Sequence, residues 1–343
     1  MNRKYLIISA LLTTVSVARA QTEVRVSNDS HYSFLDLSTS SHIHALGGVN
    51  ISTVEDNVMT VDQNPALLGL EMSNQLGMSY MHYMADNNFA DLVYTHSSGM
   101  SGAWQASIRY LNYGKIDGFD ENGYPTGQFS PSDVIFAGGY TRDLTDGVRG
   151  GFLLKTIYSS YDDYSAFAIG VDLGVNYYDI DRDLSLSAVI ANLGGQVKRF
   201  DSEYDRLPVD VRLGWSQSFS GFPVRFSITA FNLTKWHLPY YDAGDGSADN
   251  QPKTVDNFGS NLMRHLVFGA DIIPSDKFHV ALGYNYKTRT DMSSQSRDFL
   301  SGFSVGTGLK LNGFNIDLAY SRPYSGSSVM MVNLTLDIKT FIK

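Results

Sequence analysis

The feature that most constrains this chain is a side-chain alternation of period two that recurs along most of its length. Between Phe167 and Tyr177, Phe167, Ile169, Val171, Leu173, Val175 and Tyr177 fall on one face; Ala168, Gly170, Asp172, Gly174 and Asn176 fall on the other. Successive side chains of an extended strand point to opposite sides, so this is a strand with one apolar face and one small or polar face. Its 11 residues suffice for a tilted strand to cross a bilayer and exceed the usual soluble strand. The acid and the amide on the second face suit a wet or plugged lumen better than a dry sandwich core.

The alternation returns at Trp104–Tyr110, Val134–Tyr140, Phe152–Tyr158, Leu184–Ile190, Val211–Trp215, Val224–Ala230, Leu266–Ile272, Phe278–Tyr286, Phe303–Leu309, Phe314–Tyr320 and Val332–Ile338. Two less regular segments, near Leu76–Tyr83 and Phe89–His96, bring the total to about 14, an even number as a closed barrel with both ends on one side requires. Link lengths alternate too. Short links at Ser97–Gly102, Arg142–Gly147, Tyr178–Asp183, Ser218–Pro223, Ile273–Lys277 and Leu311–Gly313 separate generally longer ones. The longer set is Met84–Asn88, Tyr113–Pro131, Ser159–Tyr164, Leu193–Leu207, Leu233–Arg264, Lys287–Ser301 and Ser321–Ser328. Short inner turns and longer external loops are the rhythm of outer-membrane barrels. A solenoid would show a fixed repeat, and a β-sandwich has no reason to alternate its links. The expected fold is therefore all-β: a transmembrane antiparallel outer-membrane β-barrel of about 14 strands. Phe341, close behind the last alternating row, resembles the terminal aromatic of such barrels, although Ile342 and Lys343 follow it.

The first twenty residues have the parts of a secretory signal: basic Arg3 and Lys4, an apolar core from Tyr5 to Leu12, and Ala18-Arg19-Ala20 before the expected cut at Gln21. The apolar run is far short of a spanning helix. Removing residues 1–20 takes away three cations and no acid, so the net charge moves from −9 to −12. That balance, with no basic cluster, argues against nucleic-acid binding. Without Cys there is neither a disulfide framework nor a lipoprotein anchor.

Residues 21–74 behave differently from everything after them. From Phe34 to Leu68 the apolar residues lose the period of two, Gly47-Gly48 removes two β-carbons in a row, and Asn64-Pro65 imposes a turn. The expected organisation is a signal over 1–20, an N-terminal plug or hatch over 21–74 and a barrel over 75–343. Within the plug, the marked residues are Ala45, Leu46, Gly47, Gly48, Asn64, Pro65 and Ala66.

Few residues suggest chemistry. His42 and His44, two apart on an extended segment, would share a side, but only Asp36 stands near as a third metal ligand. Asp117, Asp120, Glu121 and Asn122, and separately Asp242, Asp245 and Asp249, lack the spacing of a calcium loop and read as solvated loop charges. Gly302, Gly306 and Gly308 have no following helix to make a phosphate cradle and are expected to give a plug room. No Gly-x-Ser-x-Gly motif or Ser-His-acid pattern occurs, so the expectation is a non-enzyme without catalytic, cofactor or metal residues. In the longest loop, Trp236, His237, Tyr240 and Tyr241 form a candidate partner-binding group, with membrane-interface aromatics as the alternative.

Ala45-Leu46-Gly47-Gly48-Val49-Asn50-Ile51-Ser52 and Asn64-Pro65-Ala66-Leu67-Leu68 are similar to the N-terminal motif of the PorV/PorQ family, which is related to the FadL fatty-acid transporter barrels. Asn192-Leu193-Gly194, Leu207-Pro208 and Gly302-Phe303-Ser304 extend the resemblance over the mature chain, on the PorQ side of the family. The resemblance implies an outer-membrane protein of the type IX secretion system of Bacteroidetes. Its role would be a non-catalytic anchor for a PorZ-like surface protein, in an attachment complex with PorU and PorV that serves lipopolysaccharide-linked cargo. A FadL-like channel for hydrophobic small molecules is the alternative. Relatives often carry Arg where this chain has His42, so any pairing of that position with a lumen acid is expected to be weaker or pH-dependent.

Overall fold

The computed structural model describes residues 30–341 except 85, 100–101, 121, 201–203, 220, 243–252, 292–298 and 325. The expected signal segment lies outside the described residues. In chain order the strands are β1 (Gln75–His82), β2 (Asn88–Ser97), β3 (Ala103–Asn112), β4 (Ile116–Phe119), β5 (Pro125–Phe129), β6 (Ser132–Thr145), β7 (Val148–Tyr161), β8 (Tyr164–Asp179), β9 (Leu184–Lys198), β10 (Asp210–Phe219), β11 (Phe222–Ala230), β12 (Tyr240–Asp242), β13 (Lys253–Val255), β14 (Leu266–Ser275), β15 (Phe278–Asn285), β16 (Phe303–Leu311), β17 (Phe314–Tyr324) and β18 (Ser327–Asp337). Two pairs, β4–β5 and β12–β13, are small hairpins in external links; the other 14 close into an antiparallel barrel. β1 seals against β18, with Gln75 opposite Asp337 and His82 opposite Met330.

Every expected alternating row is a barrel strand, because period-two amphipathicity needs only a lipid-facing side and a lumen side. On β8, Ile169, Leu173, Val175 and Tyr177 are exposed on the outer surface, whereas Ala168, Asp172 and Asn176 are buried inward. Several links differ from expectation. β7 and β8 run on to Tyr161 and Tyr164 and meet in a tight turn with Asp162 at positive φ, where a longer loop was expected. The tail departs too: β18 stops at Asp337 and Ile338–Phe341 is a single helical turn, so Phe341 does not end a strand.

The wall is not level. β6, β7, β8 and β9 have 14, 14, 16 and 15 residues. β11, β15 and β16 have 9, 8 and 9. Above Ala191, which pairs with Asp210 at the start of β10, the rest of β9 pairs only with β8. Residues 204–209 pass behind that free edge, with Leu207 buried against Gly170.

Residues 31–74 fill the lumen as short turns rather than strands. These are 3₁₀ turns at Ser33–Asp36, Val58–Val61 and Pro65–Leu67, and one short helix, α1 (Ser41–Ala45). Three caps end-stop them: Ser40 accepts from the Ile43 amide, Asn57 from Met59 and Asn64 from Ala66. Two apolar zones pack them down. Val58, Met59, Val61, Leu67, Leu68 and Met72 meet Val93 and Ala103 in one. Tyr32, Phe34, Leu35 and Leu46 meet Ile135, Ile157 and Leu207 in the other.

Candidate functional site: the filled lumen and its outer cap

Between residues 31 and 74 the chain has five acids and no Lys or Arg. Each acid meets a cation from a different strand of the wall. Asp36 lies 2.7 Å from Arg212, Asp62 2.5 Å from Arg109 and Glu55 3.6 Å from Arg225. Asp56 lies 3.4 Å from Lys310 and Glu71 4.0 Å from Arg149. The last two pairs are largely exposed and contribute little to stability. In the first three the arginine is buried or nearly so, and each arginine also holds a wall acid: Arg212 with Asp210, Arg109 with Asp91 and Arg225 with Asp271. Charge complementarity therefore ties the N-terminal segment to the wall from several sides.

The densest of these contacts surrounds His42. Its Nε2 is 2.6 Å from Asp271 and its Nδ1 2.7 Å from Glu55, and its ring stacks on His279 at 4.2 Å. Burial disfavours a charged His42, but the carboxylates of Asp271 and Glu55 outweigh it and hold the pKa well above the ordinary value. For Glu55, burial is likewise outweighed, by His42 and Arg225, and its pKa falls to about 2. A cavity of about 150 Å³ adjoins this cluster, lined by Asp317, Lys277, Lys310 and Asn57 among others. So His42 takes a wall acid, Asp271 of β14, as its partner.

His42 and His44 do not share a side. They lie on α1, where residues two apart diverge by roughly 200°, and His44 turns instead to Ser321 of β17. Among the described residues no group of three metal-binding side chains forms. Asp120 accepts the amides of Asn122 and Tyr124, and Asp117 accepts from Gln128, so both brace the β4–β5 hairpin. Glu121, Asp245 and Asp249 lie outside the described residues.

The marked plug residues sit where the wall has lost its side chains. A β-carbon on Gly283 would collide with the backbone of Ala45, Leu46 and Gly47, and one on Gly306 with Ala45. A β-carbon on Gly151 would come within 2.7 Å of the Pro65 backbone, and one on Gly174 would strike Asn64. Gly47 and Gly48 both have positive φ, which favours glycine, and the Gly47 carbonyl accepts from Asn285. The Ala45 carbonyl accepts from Ser304 at 2.8 Å. Asn64 donates to the Ile51 carbonyl at 2.7 Å and caps the turn holding Pro65 and Ala66. Of the three late glycines, Gly306 faces the plug and Gly308 faces His279 and Asp317. Gly302 lies instead in the turn before β16, at positive φ.

The long external link folds into a cap. α2 (Phe258–Arg264) and α3 (Tyr286–Asp291) are joined through Arg264, which pairs with Asp291 at 2.5 Å, lies over the Tyr240 ring and bonds Thr290. Trp236 stacks on buried His265, whose ring lies within hydrogen-bonding distance of the Phe231 and Trp236 carbonyls. Of the four loop residues singled out, Trp236 and Tyr240 are thus built into the cap. His237 faces Asp256 at 3.5 Å, and Tyr241 is exposed. Arg212, Arg225 and Asp271 escaped sequence reasoning. The available signal was an N-terminal segment with acids only, facing strands with cations at inward positions.

No protein-family model and no curated protein matches the chain. Solved structures do. The toluene transporter TodX of Pseudomonas putida aligns with a TM-score of 0.53 at 12% identity, over 87% of this chain and 97% of that one. A Pseudomonas aeruginosa FadL homologue gives 0.50 at 11%, over 88% and 98%. The monoaromatic hydrocarbon channel CymD gives 0.51 at 11%, over 87% and 97%. The fold is that of the FadL-type outer-membrane barrels.

Proposed function

We propose that this chain is a shut outer-membrane barrel that serves as a non-catalytic anchor for a surface protein. In this reading it belongs to a type IX secretion attachment complex, holds a PorZ-like partner on its external loops and works beside PorU and PorV. The observation that carries it is the filling of the lumen. A segment tied by acid–arginine pairs fills the lumen, and three cavities along it hold only about 10 to 150 Å³, too little for a continuous route for a greasy solute. The exposed Phe119 and Tyr124 of the β4–β5 hairpin offer aromatic anchors for a partner.

A channel for hydrophobic small molecules is the second reading, and the likeness of fold lends it more weight than it lends the first. Its specific support is the free edge of β9 above Ala191, a break in the wall stoppered by Leu207. One pair of measurements separates the two. Purified full-length protein in liposomes is expected to take up no fluorescent fatty acid above empty vesicles. In native outer membranes, combined Phe119→Ser and Tyr124→Ser changes are expected to reduce recovery of the PorZ-like protein at least fivefold. Uptake with unchanged recovery would overturn the anchor in favour of the channel.

A further inference from the structure

The outer cap leaves an apolar surface uncovered on the low side of the wall. Phe258 is 69% exposed and Phe299 81%, with Trp236 and Leu262 close to 40%. Phe258 and Leu262, four apart on α2, share a face; Asn261 and Arg264 are buried and tie the helix to Asp256 and Asp291. Trp236 packs on Phe258 at 5.5 Å between ring centres. Phe299 stacks on Phe303, whose ring meets Tyr284. Phe303 begins β16 and heads an outward apolar row with Val305 and Leu309, so the Phe299 end of the cap surface is continuous with the lipid-facing wall.

Strand length gives the reason. A strand rising about 3.4 Å per residue and tilted about 40° gains roughly 2.6 Å of height per residue, against an apolar band about 25 Å tall. The 8 and 9 residues of β15, β11 and β16 then span about 21 to 23 Å, whereas the 14 to 16 of β6–β9 reach about 36 to 42 Å. These three strands thus fall about 2 to 4 Å short of the apolar band.

We infer that Trp236, Phe258, Leu262 and Phe299 complete the low wall by lying in the outer leaflet, against the acyl chains just below the headgroups. The cap is then a membrane-seated element, held in shape by Arg264, rather than a free docking loop. Aromatic rings at this depth serve as interfacial anchors. This inference rests on the barrel and not on the anchor reading, and its test leaves that reading untouched.

The chain has no cysteine, so single nitroxide labels can be placed at Phe258→Cys, Phe299→Cys and, on the β4–β5 hairpin, Tyr124→Cys. In reconstituted vesicles, oxygen is expected to relax the labels at 258 and 299 at least twofold more than a water-soluble nickel chelate does. The order should reverse at 124. Labels at 258 and 299 that respond like the one at 124 would overturn the inference. Should a labelled variant fail to fold, Trp236 alone in a Trp104→Phe/Trp215→Phe chain provides a second reading. Lipids brominated near the headgroup should quench its fluorescence by half or more, and no quenching counts against the inference.

Discussion

Replacing Gly283 by leucine is expected to unseat the N-terminal segment while the barrel still closes. A β-carbon there meets main-chain atoms of Ala45, Leu46 and Gly47, which cannot move aside as a flexible side-chain tip can. Overpacking a tight core costs about 1–3 kcal/mol, and this clash falls on the backbone of the best-marked stretch, so about 3 kcal/mol is expected. Chymotrypsin should then cut between residues 32 and 68 at least tenfold faster than in the unaltered protein, and planar bilayers should show conductance steps. Gly138→Ala is the control, since its β-carbon would touch only the Gln105 carbonyl, at 4.0 Å. Equal protection in both variants would refute the close-approach account.

The second large effect concerns His42. His42→Ala strands Asp271 and Glu55 with Arg225 alone, and breaking a buried charged contact by removing one partner costs about 3 kcal/mol or more. Faster hydrogen exchange of the plug amides measures the loss. The pH dependence follows from the two shifts. Because the His42 pKa is raised in the folded protein, its contribution is whole below the ordinary 6.5 and fades as pH rises through the raised value. Glu55 is depressed, so its contribution is whole above 4.5 and is lost as pH falls through about 2. The hold on the plug should therefore be firmest between about 4.5 and 6.5 and weaken on the alkaline side. His42→Arg, which keeps its charge at all these values, should retain the plug and flatten the alkaline fall. An alkaline fall of the same size in His42→Arg would show that another group is responsible.

Much of the barrel could be read directly. Each alternating row from Leu76 to Asp337 became a strand, because the pattern of inward and outward residues is local and repeats every second position. The turn before β1 was also readable, since Asn64-Pro65 caps and bends the chain using neighbouring atoms only. The site was read less well. His42 and His44 were expected to share a side of an extended segment, but Ser40 caps a short helix there and sends them apart. Trp236 was expected on a free loop, but His265, almost thirty positions on, holds it in the cap.

What the sequence determined by itself was the number of barrel strands, the face their residues take, and the place where the alternation stops. Those follow from backbone geometry and from the need of a membrane strand for one greasy side. Which plug acid meets which wall cation was decided only by closure of the barrel. His42 and Asp271 are 229 positions apart, and Asp36 and Arg212 are 176. No local preference links such residues. They meet because 14 strands curl until the last pairs with the first, and the wall glycines leave room for the plug backbone's closest approaches.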